Sequence, residues 1–423
     1  MVLLTGASGF IGRRLADALA MAQHKVVCAV RDPSRMTDQR FRCVAADYTR
    51  DFSAEDWLPR LAGIDVVINA VGIIREHGSQ TFDAIHSRAP RALFAACAAA
   101  QVKQVIQISA LGADAQAQSR YHLSKKEADD FLASLPLASA IVQPSIVYGP
   151  GGTSAQLFTT LASLPLIGLP GRGLQQIQPV HVDDVVAAIL ALLGRPVGRG
   201  IRIPVVGPQA LALRALLASL RQAMGLGQAH FLPLPMPLMQ LAAAVGKVLP
   251  GSLLDADTLQ MLGRGNTADA APTRTLLGRE PRAATEFIPK AQAQTVRTQA
   301  LLNWLLPMLR ISIALVWIVT GIVSLGLYPV ADSYALLARV GIHGALATVM
   351  LYGAALLDLG FGLGILLLRR RRWLWLAQMA LILFYTAIIS WKLPEFWLHP
   401  YGPLLKNLPM LAAIWLLLEL EKR

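Results

Sequence analysis

Gly6, Gly9 and Gly12 stand in a GxxGxxG spacing directly after the apolar run Val2–Thr5, and a helical pattern of Phe10, Ile11, Leu15 and Leu19 follows them. A strand, a glycine turn and a helix in that order make a seat for a dinucleotide pyrophosphate. Gly6 lets the chain turn sharply. Gly9 lets backbone N–H groups approach phosphate oxygens. Gly12 lets the helix pack close to the strand, and the helix N-terminus supplies positive potential for the anion. A second strand run ends Cys28-Ala29-Val30-Arg31-Asp32. An acidic residue there takes the ribose hydroxyls of NAD(H), whereas a guanidinium suits a 2′-phosphate. Arg31 comes first, nineteen residues after Gly12, and Arg13 adds charge, so the pattern favours NADP(H). Asp32 would serve NAD(H) instead if its side chain met the ribose. Farther along, Tyr121 and Lys125 are four residues apart, on one face of a helix.

These groups need a scaffold. Apolar runs of strand length lie at Lys25–Val30, Val44–Ala46, Asp65–Asn69, Gln104–Ser109 and Ala140–Gln143, with helical patterns such as Phe82–Ala100 and Ser124–Leu135 between them. The alternation implies a Rossmann-type α/β fold, a doubly wound parallel sheet whose ligands bind at the carboxyl ends of its strands. The chain has 423 residues, 54% hydrophobic and only 15% charged, and the apolar excess is uneven. Residues 1–300 read as a soluble α/β domain, while residues 301–423 carry long apolar segments. The net charge of +13 fits an anionic cofactor and a lipid surface. No basic patch interleaved with aromatics points to nucleic acid. Cys28, Cys43 and Cys97 are scattered, with neither a disulfide nor a metal framework, which suits a reducing compartment. The first apolar run is too short for a signal peptide, so the cofactor domain is expected in the cytoplasm.

Further motifs resemble the short-chain dehydrogenase/reductases, in their extended and atypical branch. Ala46-Asp47-Tyr48 resembles the acidic turn against adenine. Asn69-Ala70-Val71-Gly72 resembles the Asn-Ala-x-Gly turn after the fourth strand. Ile108-Ser109-Ala110 closes the fifth strand, and Tyr121-His122-Leu123-Ser124-Lys125 is a YxxxK motif. Gln143-Pro144-Ser145-Ile146-Val147-Tyr148-Gly149 resembles the segment beside the nicotinamide, with Gln143 in place of the usual arginine. Pro179–Val185 resembles a later signature of the extended branch. The resemblance covers about residues 1–290. It implies a catalytic set of Ser109, Tyr121 and Lys125. The ammonium would lower the phenol pKa and hold the ribose, the phenol would move the proton that accompanies hydride transfer, and Ser109 would orient a substrate carbonyl. It also implies cofactor contacts from Gly6, Ser8, Gly9, Phe10, Ile11, Gly12, Arg31, Asp47, Asn69, Ala70, Val71, Gly72, Lys125, Pro144 and Ser145. The short segment from Ser109 to Tyr121 resembles the NADPH-binding accessory subunits of complex I. That likeness leaves open a role in which Tyr121 and Lys125 only hold the cofactor. His181 is expected to fix a loop rather than act as a base, and His122 to point off the Tyr121/Lys125 face.

Residues 207–300 are expected to form a small helical substrate subdomain. Its Pro-rich run Phe231–Leu238, the apolar Met239–Leu249 and the amphipathic Leu253–Leu262 read as a helical cap, or as a greasy lid admitting a lipophilic substrate. An all-α four-helix transmembrane domain is expected beyond residue 300, with spans at Ile311–Tyr328, Gly344–Leu368, Trp373–Trp391 and Pro403–Leu418. Arg369–Arg372 places the loop between spans two and three in the cytoplasm, and with it both termini, across the inner (plasma) membrane. The loops Pro329–His343 and Lys392–Gly402 then face outward. This region resembles the DoxX-like family, on its four spans, Arg310 leading into Trp317–Gly321, and Asp358. Asp358 at depth reads either as a quinone, proton or substrate contact or as a structural partner for Arg310, His343 or a hydroxyl. The partners implied are the bilayer, a small lipophilic substrate or quinone, and a membrane redox complex. The leading expectation is a membrane-anchored NADP(H)-dependent oxidoreductase. The alternatives are a non-catalytic NADPH-binding assembly or sensing protein, and a nucleotide-sugar epimerase or dehydratase.

Overall fold

The apolar runs become strands, and all but the half-exposed edge strand Arg42–Ala45 are buried on both faces, as continuous Val/Ile/Leu segments in a parallel sheet should be. They are β1 (Val2–Thr5), β2 (Val26–Val30), β3 (Arg42–Ala45), β4 (Val66–Asn69), β5 (Gln104–Ile108) and β6 (Ser139–Pro144). The helices between them are α1 (Phe10–Met21), the short α2 (Ala54–Trp57), α3 (Ala89–Ala99) and α4 (Arg120–Ser134). The computed structural model describes residues 1–36, 38–240 and 256–421.

After β6 come β7 (Val147–Tyr148), α5 (Thr153–Ser163), β8 (Ile167–Pro170), β9 (Gln176–Ile177), β10 (Val180–His181), α6 (Val182–Leu193) and β11 (Ile201–Val205). The sheet has seven strands in the order β11-β6-β5-β4-β1-β2-β3. All its pairings are parallel, with Val2 opposite both Val26 and Val66. The chain runs outward through β2 and β3, then returns to β4 beside β1. That reversal opens a crevice at the carboxyl ends of β1 and β4. β11 is absent from the strand runs read in the sequence. Its Pro204 and half-exposed Arg202 suit an edge strand, where a sheet tolerates proline.

One apolar cluster joins the sheet to α1 and α6, and a second joins it to α3 and α4. The helix expected at Phe82–Ala100 divides into a π-helical turn at Asp83–Arg88 and then α3. Pro90 has no N–H for an α-helical bond back into that turn. α4 starts four residues before Ser124, because Ser119 Oγ caps it by accepting from the His122 N–H at 3.2 Å.

The rest of the first unit follows as β12 (Leu211–Ala212), α7 (Leu213–Ala223), β13 (Phe231–Leu234), α8 (Ala256–Arg264) and α9 (Ala271–Leu277). The Pro-rich run opens as β13, which pairs in parallel with β8. Pro233 cannot donate inside a helix but fits a strand edge. Most of Met239–Leu249, and the start of Leu253–Leu262, lie outside the described residues; the remainder of the latter is α8.

The chain divides into two compact units, Met1–Ala300 and Leu301–Arg423. The remaining helices are α10 (Ala293–Ile322), α11 (Val330–Arg339), α12 (Gly344–Leu367), α13 (Arg372–Lys392) and α14 (Asn407–Leu420). Among the described residues three helical stretches are long and apolar enough to cross a membrane, Lys290–Leu327, Gly344–Leu367 and Arg372–Lys392. α14, in place of the fourth expected span, has 14 residues. That is about 21 Å of helix against a hydrocarbon core of about 30 Å. α11 occupies the segment expected as an open loop. Ile313, Trp317, Phe361, Trp375, Ile382 and Ile414 share one apolar core. Arg310 does not pair with Asp358. It meets Glu421 at 2.8 Å, and Trp375 Nε1 donates to the same carboxylate at 2.8 Å.

Candidate active site

The glycine turn has the shape its spacing implied. Gly6 sits at φ +71°, and a Cβ there would lie 2.8 Å from the Ala70 carbonyl. A Cβ on Gly12 would lie 2.0 Å from the Gly6 oxygen. Gly9 is the N-cap of α1, whose first turn has neither a side-chain cap nor an acidic residue. Its N–H groups remain open to an anion. These glycines form the cradle that a pyrophosphate fits.

A recess of about 810 Å³ beside the turn is lined by Ser8, Arg13, Arg31, Asp32, Arg40 and Phe41 among others. Asp32 accepts from the Ser34 N–H at 3.1 Å and the Ser34 hydroxyl at 2.6 Å, capping the turn Pro33–Arg35. Arg40 is held by Asp17 and Asp38. Arg31 is more loosely held, its Nε 3.9 Å from Asp47 and its side chain 58% exposed. Asp47 accepts from the Thr49 N–H and hydroxyl. Arg31 and Arg13 are thus the guanidinium groups best placed to meet a phosphate on the ribose.

Asn69 is fully buried. Its Oδ1 accepts from the Thr5 and Tyr48 hydroxyls, both at 2.7 Å, and its Nδ2 donates to Gln107 at 2.7 Å. Its amide is spent tying strand ends together, and it is the following residues, Ala70, Val71 and Gly72, that line the crevice. A Cβ on Gly72 would stand 3.1 Å from Lys125 Nζ, so the turn and the ammonium are in close approach.

A cavity of about 360 Å³ lies at the carboxyl ends of β4, β5 and β6. Phe10, Ile11, Ser109, Tyr121, Lys125, Pro144 and Ser145 all line it. Tyr121 is wedged among Phe82, His86 and His122, with ring centroids 6.0, 5.4 and 5.3 Å away. Burial pushes its phenol up to about 12, and the Asp129 carboxylate adds to that. Desolvation is the larger of the two influences on the phenol. Lys125 Nζ donates to the Ile108 carbonyl at 3.1 Å, and burial pulls its pKa down to about 8 against the opposing pull of Asp129.

The Ser109 hydroxyl, in the cavity wall, donates to the Asp129 carboxylate. Asp129 is fully buried, and desolvation raises it to about 6 despite the Ser109 hydrogen bond. Tyr121, Lys125 and Asp129 repeat at four-residue steps down one face of α4, a spacing that could have disclosed Asp129. Ser145 is also engaged, donating to the Gln178 carbonyl at 2.5 Å.

His122 lines the cavity rather than pointing away. The loop after β5 folds over it, with Gly112 at φ +99° and so close that a Cβ there would sit 3.0 Å from the imidazole. Burial and then Arg264 bring its pKa down to about 4. Arg264 of α8 fastens that loop, donating to the Gly112 carbonyl at 2.9 Å and to both Asp114 oxygens at 2.7 Å. Met261 of the same helix forms part of the cavity wall. His86 went unread. Its Nε2 accepts from the Ile73 N–H at 3.0 Å, so Nδ1 carries the proton and donates to Ser124 Oγ at 3.0 Å. It locks the β4 turn to α4. The signal was a His-Ser pair on the buried side of an apolar helix pattern. His181 caps α6, its Nδ1 accepting from the Asp183 N–H at 3.2 Å.

Comparison with known proteins matches residues 2–205 to the NAD dependent epimerase/dehydratase family and residues 314–415 to the DoxX-like family. The chain is 31% identical over 202 residues to a ceramide reductase of Caulobacter vibrioides, covering 47% of this chain and 62% of that protein. It is 30% identical over 200 residues to the mitochondrial NADH dehydrogenase (ubiquinone) 1 alpha subcomplex subunit 9 of Arabidopsis thaliana, covering 44% and 48%. The chain thus spans less than two thirds of either curated relative. Among solved structures, an NADPH-dependent quinone oxidoreductase of Escherichia coli in complex with NADPH has a TM-score of 0.55 at 22% identity, covering 68% of this chain and 98% of that one. The chain joins an NAD(P)-binding, epimerase/short-chain-dehydrogenase-like Rossmann domain to a C-terminal DoxX-like domain.

Proposed function

We propose that this chain is a membrane-anchored NADP(H)-dependent oxidoreductase acting on a lipophilic carbonyl or alcohol. The observation that carries it is the cavity at Tyr121 and Lys125, walled by Phe10, Ile73, Ile74, Leu111, Ile146 and Met261. Such a wall accepts an alkyl body at about 25 cal/mol per Å² buried, while Thr153, Ser154 and Asn266 add polar groups for the oxygen-bearing end of a substrate. The relative named as a ceramide reductase supports a lipid substrate, and the DoxX-like helices supply the anchor. NADP(H) would supply the hydride. Gly6, Gly9 and the α1 N-terminus would hold its pyrophosphate, Arg31 and Arg13 its 2′-phosphate, and Lys125 its ribose. Tyr121 would give its proton to the substrate oxygen in reduction. His86 packs against the Tyr121 ring, and the Asp129 carboxylate acts on Tyr121 and Lys125 through its charge.

A second reading is a non-catalytic NADPH-binding protein of a membrane redox complex. It is favoured by the commitment of Ser109 to Asp129 and by the likeness to the complex I subunit. The epimerase reading rests on the family description. The experiment is NADPH consumption by the full chain in detergent, offered long-chain ketones and quinones in turn, with conversion of UDP-sugars followed by product analysis because epimerisation uses no net NADPH. Turnover with lipophilic carbonyls supports the first reading. NADPH binding without turnover on any of them supports the second.

A further inference from the structure

In the second unit the apolar helices meet at a cluster of guanidinium groups with one carboxylate among them. Arg310 lies in α10, Arg371 is the N-cap residue of α13, and Glu421 directly follows α14. Glu421 stands 2.8 Å from Arg310 and 3.6 Å from Arg371, and its other oxygen accepts from Trp375 Nε1 at 2.8 Å. Arg371 Nε donates to the Ile365 carbonyl at 2.7 Å, which ties in the last turn of α12.

One carboxylate answers one of the two guanidinium charges and leaves the other. Arg310 Nε is buried and has no hydrogen-bond partner among the described residues. Arg369, Arg370 and Arg372 are exposed beside Arg371, and Glu419 of α14 is exposed as well; among the described residues none of these four has an ion pair. Like charges held together among helix ends, with little water around them, are costly until an anion joins them. The side chains of Arg310 and Arg371 stay partly exposed, so the cluster is open from outside. α13 begins here with no side-chain cap and no acidic residue in its first turn, and its N–H groups add to the positive potential. Leu367 and Trp373 are exposed next to the arginines. Indole and alkyl side chains beside cations make up a surface suited to the bilayer interface.

We propose that Arg310 and Arg371 form a binding site for the phosphate of an anionic phospholipid, whose acyl chains lie against Leu367 and Trp373. A guanidinium presents paired N–H donors that match phosphate oxygens. A zwitterionic lipid brings its own cation and leaves the surplus charge unanswered. The site lies wholly within the second unit and does not depend on the function proposed for the cavity at Tyr121.

The test is native mass spectrometry of the full chain released from detergent micelles that hold equal amounts of dioleoylphosphatidylglycerol and dioleoylphosphatidylcholine. Wild type should retain phosphatidylglycerol about tenfold more tightly than phosphatidylcholine. Arg310→Gln and Arg371→Gln should each weaken that binding about tenfold, the worth of a charge-assisted hydrogen bond. The double variant Arg369→Gln/Arg370→Gln removes more charge from the same connection, but from exposed, screened positions, and should weaken it about twofold or less. Inorganic phosphate at the same concentration should not displace the lipid. The proposal is overturned by equal retention of the two lipids, or by displacement with inorganic phosphate, which would make the ligand a soluble anion. It is also overturned if the double variant loses the preference, which would make the binding diffuse attraction to the arginine run. Wild type and the double variant, changed only at exposed positions, decide the matter even if Arg310→Gln or Arg371→Gln fails to assemble.

Discussion

In the proposed function Tyr121, Lys125, Asp129 and Arg31 carry most of the chemistry. Tyr121→Phe removes the phenolic proton and little packing, so turnover should fall at least about 100-fold while NADPH affinity stays within a few-fold. Steady-state rates and a fluorescence titration of NADPH check both halves. Arg31→Ala should weaken NADPH about tenfold and NADH little, because only the former carries the phosphate the guanidinium would meet. Asp129 gives a pH test. Its carboxyl is raised to about 6 from 3.8, so the folded state holds the proton more tightly than the unfolded chain. Its stabilising share is present below about pH 4 and lost as pH rises through 6. Wild type should therefore lose about 1–3 kcal/mol relative to Asp129→Asn between pH 4 and 7. Thermal unfolding of the two proteins across that range reads the difference, and a constant offset would contradict it. At this scale the sequence disclosed which residues gather but not where each hydrogen points. Ser109 was placed correctly at the end of β5, yet its hydroxyl is claimed by a carboxylate twenty residues on.

Among the elements, the glycine turn is the least forgiving. Gly12→Ala puts a methyl 2.0 Å from the Gly6 oxygen, so α1 must move off β1. Overpacking of that kind costs about 1–3 kcal/mol, and NADPH affinity should drop about tenfold to a hundredfold in the same titration. The strands were legible because a parallel strand buried on both faces must be a continuous apolar run. β11 escaped because an edge strand carries Arg202 and Pro204. α8 was visible as a period, but its part in the site was not. Only the fold brings Arg264 to Gly112 and Asp114, 152 and 150 residues away. Hydropathy found the three long apolar helices well, and it overestimated the length of the fourth, since Pro403 and Lys406 stay outside α14.

For the molecule as a whole, an apolar cavity on a cofactor domain is joined in one chain to apolar helices. Such a tether raises the local concentration of anything dissolved in the bilayer without any new contact. If Arg369–Arg372 faces the cytoplasm, reporter fusions at Gly341 and His399 should read as external and a fusion after Arg371 as cytoplasmic. A cytoplasmic signal at His399 would mean that α13 does not cross. The proposed activity is turnover of a lipophilic substrate in the cavity at Tyr121. The most direct measurement compares wild type and Tyr121→Phe for NADPH consumption in detergent with long-chain ketones and quinones. Wild-type turnover on at least one of them, falling about 100-fold in a variant that still binds NADPH, is the predicted result. Equal rates in the two proteins, or no turnover by wild type while NADPH binds normally, would contradict it.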